Sequence, residues 1–252
     1  MIDVLSNLKM VDRTLIVLHE AHEPSRLEKT KRSIQTEGVL RHPPVAVEMK
    51  NGQYLIIDGA HRTCSLQALG CSQIPLQIVD VEDVMIGNWD HVVPNGELMT
   101  YLENNQQAFR VETVPLKEYA LAKVRKGDVT YYVYPLSTEG QLDAWHQLVD
   151  VYQHQYRVTR VPAEIEIKLE PNMLRISYPT YTLQEIEEVV LQGKVMPAGV
   201  TRFEIQGRIL NLQIPLSMLQ NIETELEGWN GLLDSRRNLL RYYSKPVYVC
   251  ET

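Results

Sequence analysis

The sequence predicts an α/β fold, overall an α+β arrangement, in which a small strand–helix unit is followed by a second mixed α/β lobe. Three observations predict it. Short apolar runs of strand character alternate with helical periodicity over the first 80 residues. The later part carries both kinds of segment, with no repeat, low-complexity tract or Gly/Ser linker before it. The 252 residues, 44% hydrophobic and 23% charged, suffice for one or two packed cores. The expected division is 1–82 and 83–252.

Arg13 to Leu18 is a short apolar strand. Glu23-Pro24-Ser25 opens a helix that runs through Leu27 and Ile34 and stops at Gly38. Pro43 to Val47 starts a strand, and Asn51-Gly52 is a hairpin turn because both residues tolerate positive φ. Tyr54 to Ile57 is the return strand. It ends at Asp58-Gly59-Ala60-His61-Arg62, where a helix starts that Gly70 closes, and Ile74 to Val79 is a further strand. Beyond these, Asp143 to Tyr152 and Leu183 to Leu191 have apolar residues at three- and four-residue spacing, and Glu223 to Leu240 reads as a helix. Tyr131 to Tyr134 is a strand whose tyrosines suit sheet packing, and Thr201 to Ile214 reads as two strands about Gly207.

Charge narrows the function. The net charge is −7, and residues 1–80 hold nine Lys/Arg against nine Asp/Glu, so the whole excess lies in residues 81–252. A generally basic nucleic-acid binder is disfavoured, since binding releases counterions through Lys/Arg contacts to phosphates. No apolar run approaches the roughly 20 residues that span a bilayer. The N-terminal residues lack the pattern of a secretory signal, and Cys64, Cys71 and Cys250 form no CxxC pair. A cytoplasmic protein is expected.

The segment richest in chemistry is Asp58-Gly59-Ala60-His61-Arg62. Glycine lets backbone approach a ligand, free N–H groups at a helix start favour anions, and His61 and Arg62 add donors. This is a cradle for nucleotide phosphates, or else a common strand–helix turn in which Arg62 pairs with a carboxylate. His19 and His22 have metal-ligand spacing on a helix, without an evident third ligand. The run Lys29-Thr30-Lys31-Arg32 reads as a solvated helix face, and Cys64 and Cys71 read as packing residues.

The strand, Gly-x-His-Arg turn and helix resemble the nucleotide-binding motif of the ParB/sulfiredoxin-like superfamily, whose members bind nucleotide phosphates at that turn. The resemblance makes residues 1–82 a ParB/sulfiredoxin-like nucleotide-binding domain and 83–252 a lobe that completes the substrate site. Sulfiredoxins carry their catalytic cysteine where Ala60 stands, so sulfinic-acid repair is not expected. Partitioning ParB proteins continue into a helix-turn-helix domain, and no such pattern follows residue 80. Further stretches match in order: Leu18-His19-Glu20, Glu23-Pro24, Arg26 to Thr30, Leu40 to Pro43, Ser65-Leu66 to Gly70-Cys71, Trp89, His91, Pro94, Pro197 to Phe203, and Leu210 to Gln213. This set resembles the ParB-like free L-serine kinases of staphyloferrin B siderophore biosynthesis and, more distantly, archaeal free-serine kinases. Residues 95–173 match poorly.

That resemblance implies transfer of the terminal phosphoryl group of ATP, or of ADP, to the hydroxyl of free L-serine, giving O-phospho-L-serine for siderophore biosynthesis. It makes Glu20 the catalytic base and puts Glu23, Trp89, His91, Thr201 and Arg202 at the serine. Arg41, His42, Asp58, Gly59, Ala60, His61, Arg62 and Thr63 fall on the nucleotide. Mg2+ is expected with the phosphates, with Asp58 as an outer partner. No metal-binding residue is assigned, and the oligomeric state stays open. The local sequence leaves plainer roles for several residues. Glu20 could be a helix-start carboxylate, Trp89 a core aromatic and Arg202 half of an ion pair. A second function class is a nucleotide- or haem-responsive ParB-like DNA-binding regulator of a siderophore operon. The acidic second part disfavours it.

Overall fold

The computed structural model describes residues 4–22, 24–105, 108–136 and 140–243. They fall into two compact units, one drawn from Met1–Val17, His22–Asp83 and Ile205–Thr252, the other from Leu18–Ala21 and Val84–Glu204.

The first unit opens with β1 (Leu8–Asp12) and β2 (Ile16–Leu18). The strand expected from Arg13 is shorter because Asp12 Oδ1 accepts the Thr14 N–H at 2.8 Å and winds Arg13–Leu15 into a 3-10 turn. Next come α1 (Pro24–Glu37), β3 (Val39–Leu40), β4 (Val45–Glu48), β5 (Tyr54–Asp58), α2 (Ala60–Ala68) and β6 (Gln73–Ile78), much as the sequence predicts. The five-stranded sheet runs β1-β6-β4-β5-β2. β4 and β5 form the expected hairpin, β1 pairs β6 antiparallel and β4 pairs β6 parallel. Its centre is built from Val45, Ala46, Val47, Leu55 and Ile56, all at most 1% exposed, as strands covered on both faces require. Helix α1 packs against α2, with Ile34 and Leu66 buried. Burial raises the Cys64 thiol pKa and pushes Cys71 to about 11, which suits packing and not thiolate chemistry.

The second unit is built on β7 (Val84–Pro94). It continues with α3 (Glu97–Asn104), β8 (Phe109–Glu112), β9 (Ala122–Lys126), β10 (Val129–Pro135), α4 (Gln141–Gln153), β11 (Thr159–Pro162), β12 (Met173–Ser177), α5 (Leu183–Leu191) and β13 (Thr201–Ile205). Its sheet has the order β11-β7-β12-β9-β10-β8, with β13 also on β7. The core joins Val93, Val124, Val133 and Leu174 of the sheet to Leu98 and Leu102 of α3 and Trp145, Leu148 and Tyr152 of α4. Tyr134 is 1% exposed, as sheet packing predicts. Thr182 and Glu185 form a capping box that starts α5.

Residues 205–243 then return to the first unit, where a single cut after residue 82 would put them in the second. They supply β14 (Ile214–Pro215), α6 (Leu216–Gln220) and α7 (Leu226–Arg237). The two strands expected about Gly207 are not a hairpin. Asn211 and Gln213 hold φ of 55° and 54°, which breaks extended backbone, and β14 pairs β3 instead. Buried Gln77 holds the intervening loop, donating to Gly207 O and accepting from Ile209 N, both at 2.9 Å. Helix α7 starts three residues later than expected because turns occupy 221–224. Among the described residues no helix is long and apolar enough to cross a membrane.

Candidate functional site

In the first unit the chemistry gathers where β5 becomes α2. Gly59 is the N-cap, with φ +91°, and it contributes no side-chain cap bond to the start of α2. A Cβ at residue 59 would press on the Arg62 guanidinium, 2.9 Å from Nη2. That guanidinium folds back over the turn. Its Nη1 donates to His42 O at 2.9 Å, and its Nη2 makes a short contact with Asp58 Oδ2. Arg208 Nη2, from the returning segment, reaches the same Asp58 oxygen at 2.5 Å. Two guanidiniums thus share one carboxylate, and the turn keeps net positive charge.

The other expected nucleotide residues lie in this unit in different states. His42 is 8% exposed and its Nδ1 accepts the Asn211 N–H at 2.9 Å, which puts its ring proton on Nε2 when neutral. Arg41 is ion-paired with Glu37 at 2.5 Å. Ala60 is buried in the first turn of α2. His61 lies edge-on to His22, with ring centroids 6.3 Å apart. Thr63 is fully buried and its hydroxyl donates to Gly59 O at 3.1 Å, so it braces the turn from behind. Arg208 has no counterpart among the sequence expectations. Its only signal is a basic residue after the turn glycine Gly207.

In the second unit Glu20 sits in a short parallel bridge with Met196, where Met196 N donates to His19 O and Ala21 N to Met196 O. Glu20 is not at a helix start. Its Oε2 accepts the Gly199 N–H at 2.7 Å and lies 3.8 Å from His19 Nε2. His19 is buried edge-on against Phe203. The segment holding His19 and His22 is not helical, so the two do not share a helix face. Among the described residues no three His, Cys, Asp or Glu are grouped to hold a metal. Glu23 lies outside the described residues.

Trp89 and His91 share one face of β7, as alternate residues must, yet their settings differ. Trp89 is half-buried, its backbone N–H donating to Val200 O at 2.8 Å, and the Arg202 guanidinium lies 5.1 Å from its ring centroid. Arg202 also pairs with Glu164 at 2.5 Å and contacts Glu204, so in this structure it is an ion-pair partner, as the local sequence allowed. Thr201 is 9% exposed at the start of β13. His91 is fully buried. Its Nε2 meets Gly199 O and its Nδ1 meets the Tyr152 hydroxyl, both at 2.7 Å, so neither nitrogen faces a ligand. Desolvation lowers its pKa to about 4, with the Arg160 charge adding to the effect. Burial raises Tyr152 and Tyr178 above the ordinary phenol range, and the two hydroxyls make a short contact.

On the opposite face of β7, Asp90 is 2% exposed and accepts from Arg175 Nε at 2.5 Å and Ser177 Oγ at 2.7 Å. Sequence reading missed this ion pair, and also Tyr152, Tyr178 and Arg160. Tyr152 and Arg160 lie in the stretch without motif matches, and the Asp90–Arg175 pair depends on β7 and β12 lying side by side.

A glycine-capped helix start beside two arginines, on a strand–turn–helix, is an arrangement that suits an anionic ligand such as phosphate. The ParB N-terminal domain family matches residues 11–86. The chain is 36% identical over 250 residues, 97% of each chain, to the ATP-dependent L-serine kinase SbnI of Staphylococcus aureus. It is 21% identical over 182 residues to the ATP-dependent L-serine kinase of Staphylothermus marinus, covering 71% of this chain and 70% of that one. The structure of C-terminally truncated SbnI from Staphylococcus aureus superposes with TM-score 0.86 at 35% identity, covering 94% of this chain and 99% of that one. A free serine kinase in complex with AMP shares the fold, with TM-score 0.68 at 19% identity over 84% and 93%. The chain belongs to the ParB-like ATP-dependent L-serine kinase family.

Proposed function

We infer that this protein transfers the terminal phosphoryl group of ATP to the hydroxyl of free L-serine, forming O-phospho-L-serine and ADP. The observation that carries the reading is the relationship to an ATP-dependent L-serine kinase along 97% of both chains. The resemblance of the ordered motifs to the staphyloferrin B branch supports a place for the product in siderophore biosynthesis.

The reaction needs charge held around the transferred group and an acceptor for the serine proton. In our reading the N–H groups after Gly59, with His61 and the Arg62–Arg208 pair, hold the phosphates, and His42 and Arg41 flank them. Exposed Arg41 can exchange Glu37 for phosphate at little cost, because exposed ion pairs are worth at most about 1 kcal/mol. Glu20 takes the hydroxyl proton. A carboxylate offers two oxygens with several lone pairs, so the bond from Gly199 to Oε2 leaves Oε1 able to accept. Thr201 and Trp89 line the serine, with Glu23 as a partner for its ammonium. Arg202 binds the serine carboxylate by exchanging an exposed glutamate for it.

Mg2+ would be held chiefly by the nucleotide phosphates. Asp58, the outer partner expected for it, is engaged by Arg62 and Arg208. When bound, the ion supplies charge neutralisation at the phosphates. Haem has no role in this reading.

Incubation of the purified chain with ATP, Mg2+ and L-serine should accumulate O-phosphoserine and ADP in equal amounts, detected by mass spectrometry. Absence of product with ATP and with ADP as donor would refute the assignment.

A further inference from the structure

Gly199 is bonded on both sides of its own residue. Its N–H donates to Glu20 Oε2 and its C=O accepts from His91 Nε2, each at 2.7 Å. A carbonyl only accepts, so Nε2 carries the proton of the neutral imidazole. Nδ1 is then an acceptor, and the Tyr152 hydroxyl must donate to it. Tyr152 oxygen in turn accepts from Tyr178, whose hydroxyl it contacts. The row Tyr178, Tyr152, His91, Gly199, Glu20 therefore has one consistent direction of donation from the core to the carboxylate. His91 and Tyr152 are fully buried and Tyr178 is 6% exposed, so no competing solvent bond loosens the row.

Gly199 has φ +70°, and the Arg160 guanidinium occupies the space a Cβ would take. Arg160 stands opposite His91 across β11 and β7. The residue is thus gripped at its carbonyl, its Cα and its N–H.

We propose that Tyr178, Tyr152 and His91 are positioning residues for Glu20, aiming its carboxylate through the backbone of Gly199. The inference rests on the reading of Glu20 as proton acceptor. His91 touches neither substrate nor reacting atoms; it fixes the turn whose N–H holds Oε2, so that the other carboxylate oxygen is presented in one orientation. Misplacement of a catalytic group by about 1 Å can cost on the order of 100-fold in rate.

The test separates the donor function of His91 from its bulk. In His91→Asn the amide can replace Nδ1 toward Tyr152 but cannot reach Gly199 O, whereas in His91→Gln the longer amide can donate there. We expect His91→Asn to lower kcat about 10- to 100-fold, with serine KM and ATP affinity within about threefold of the parent, and His91→Gln to recover most of the loss. In a Glu20→Ala background, His91→Asn should cost nothing further, because the group it aims is gone. Tyr152→Phe keeps the ring and removes one hydroxyl; it carries the same test, with a smaller loss, where His91→Asn lowers the thermal midpoint. Equal losses from His91→Asn with and without Glu20 would overturn the proposal, as would a folded His91→Asn with parental kcat. Parental turnover by Glu20→Ala would instead overturn the base assignment itself, and that single variant distinguishes the two failures.

Discussion

The two units hold their functional groups in opposite ways. In the first, the groups we assign to the phosphates follow one another along a strand–turn–helix, and their geometry is local: Gly59 caps α2, and Arg62 reaches Asp58 one helical turn back. In the second, the carboxylate comes from residue 20, its anchor from residue 199, and the support behind that anchor from residues 91, 152 and 178. Backbone amides and exposed arginines suffice to bind an anion, since phosphate is tolerant of approach. Proton transfer needs a group within hydrogen-bond reach and correctly oriented, which calls for buried, satisfied neighbours. The contrast predicts that changes in the first unit act on nucleotide affinity, and changes around Glu20 act on turnover.

The largest test of that division is Glu20→Ala. Removing a general base costs about 100- to 10,000-fold in kcat. ATP affinity, measured by calorimetry, should stay within about threefold, because the residues we assign to the phosphates belong to the other unit. A parallel loss of ATP binding would break the division.

Next is Asp90→Ala. The Asp90–Arg175 pair is buried at 2% and 5% exposure, and removing one partner strands a buried charge, a loss of about 3–5 kcal/mol. Denaturant unfolding should show it. Because Asp90 and His91 are neighbours on opposite faces of β7, this change weighs on stability, whereas His91→Gln weighs little on it.

These expectations also show what could be read from sequence. The strand–turn–helix from β5 into α2 was legible because adjacent residues carry the pattern, and strands β4 and β5 were legible because Asn51-Gly52 fixes their turn. The bond from Gly199 to Glu20 spans 179 positions, and no local period encodes it. Tyr152 reads as one more apolar position of α4, and nothing in its neighbours shows that its hydroxyl meets His91. Arg208 was missed for the same reason: the return of residues 205–243 to the first unit is decided by burial of Ile209, Leu212, Ile214 and Leu219 there. Arg202 illustrates the converse, a motif residue whose partners in this structure are Glu164, Glu204 and the Trp89 ring.

A pH experiment sharpens the comparison further. The His91 pKa falls from an ordinary 6.5 to about 4, chiefly because burial disfavours the imidazolium. The unfolded chain therefore binds the proton first as pH falls. The associated stability is fully present above about 6.5 and is lost as pH drops towards 4, an effect of about 3 kcal/mol. Carboxylates also titrate in that range, so the measurement is the difference between the parent and His91→Gln. Unfolding free energies of the two should run in parallel above pH 7, and below it the parent should lose about 3 kcal/mol relative to His91→Gln. A constant offset from pH 7 to 4 would mean that His91 is not held neutral.

The smallest expected effect lies in the first unit. Gly59→Ala places a side chain at φ +91°, where an L-residue costs about 1–2 kcal/mol, and its Cβ would displace the Arg62 guanidinium. The strain and the displaced arginine have separate readouts. Strain lowers the unfolding midpoint whether or not nucleotide is present. Displacement of Arg62 weakens ATP by about 10-fold, the worth of one charge-assisted contact, and leaves kcat at saturating ATP unchanged. Arg62→Ala should reproduce the affinity loss without the backbone strain. If Gly59→Ala lowered kcat at saturating ATP while Arg62→Ala did not, the turn would be shaping the reacting groups as well as holding the phosphates, and the division of labour between the units would fail at that residue.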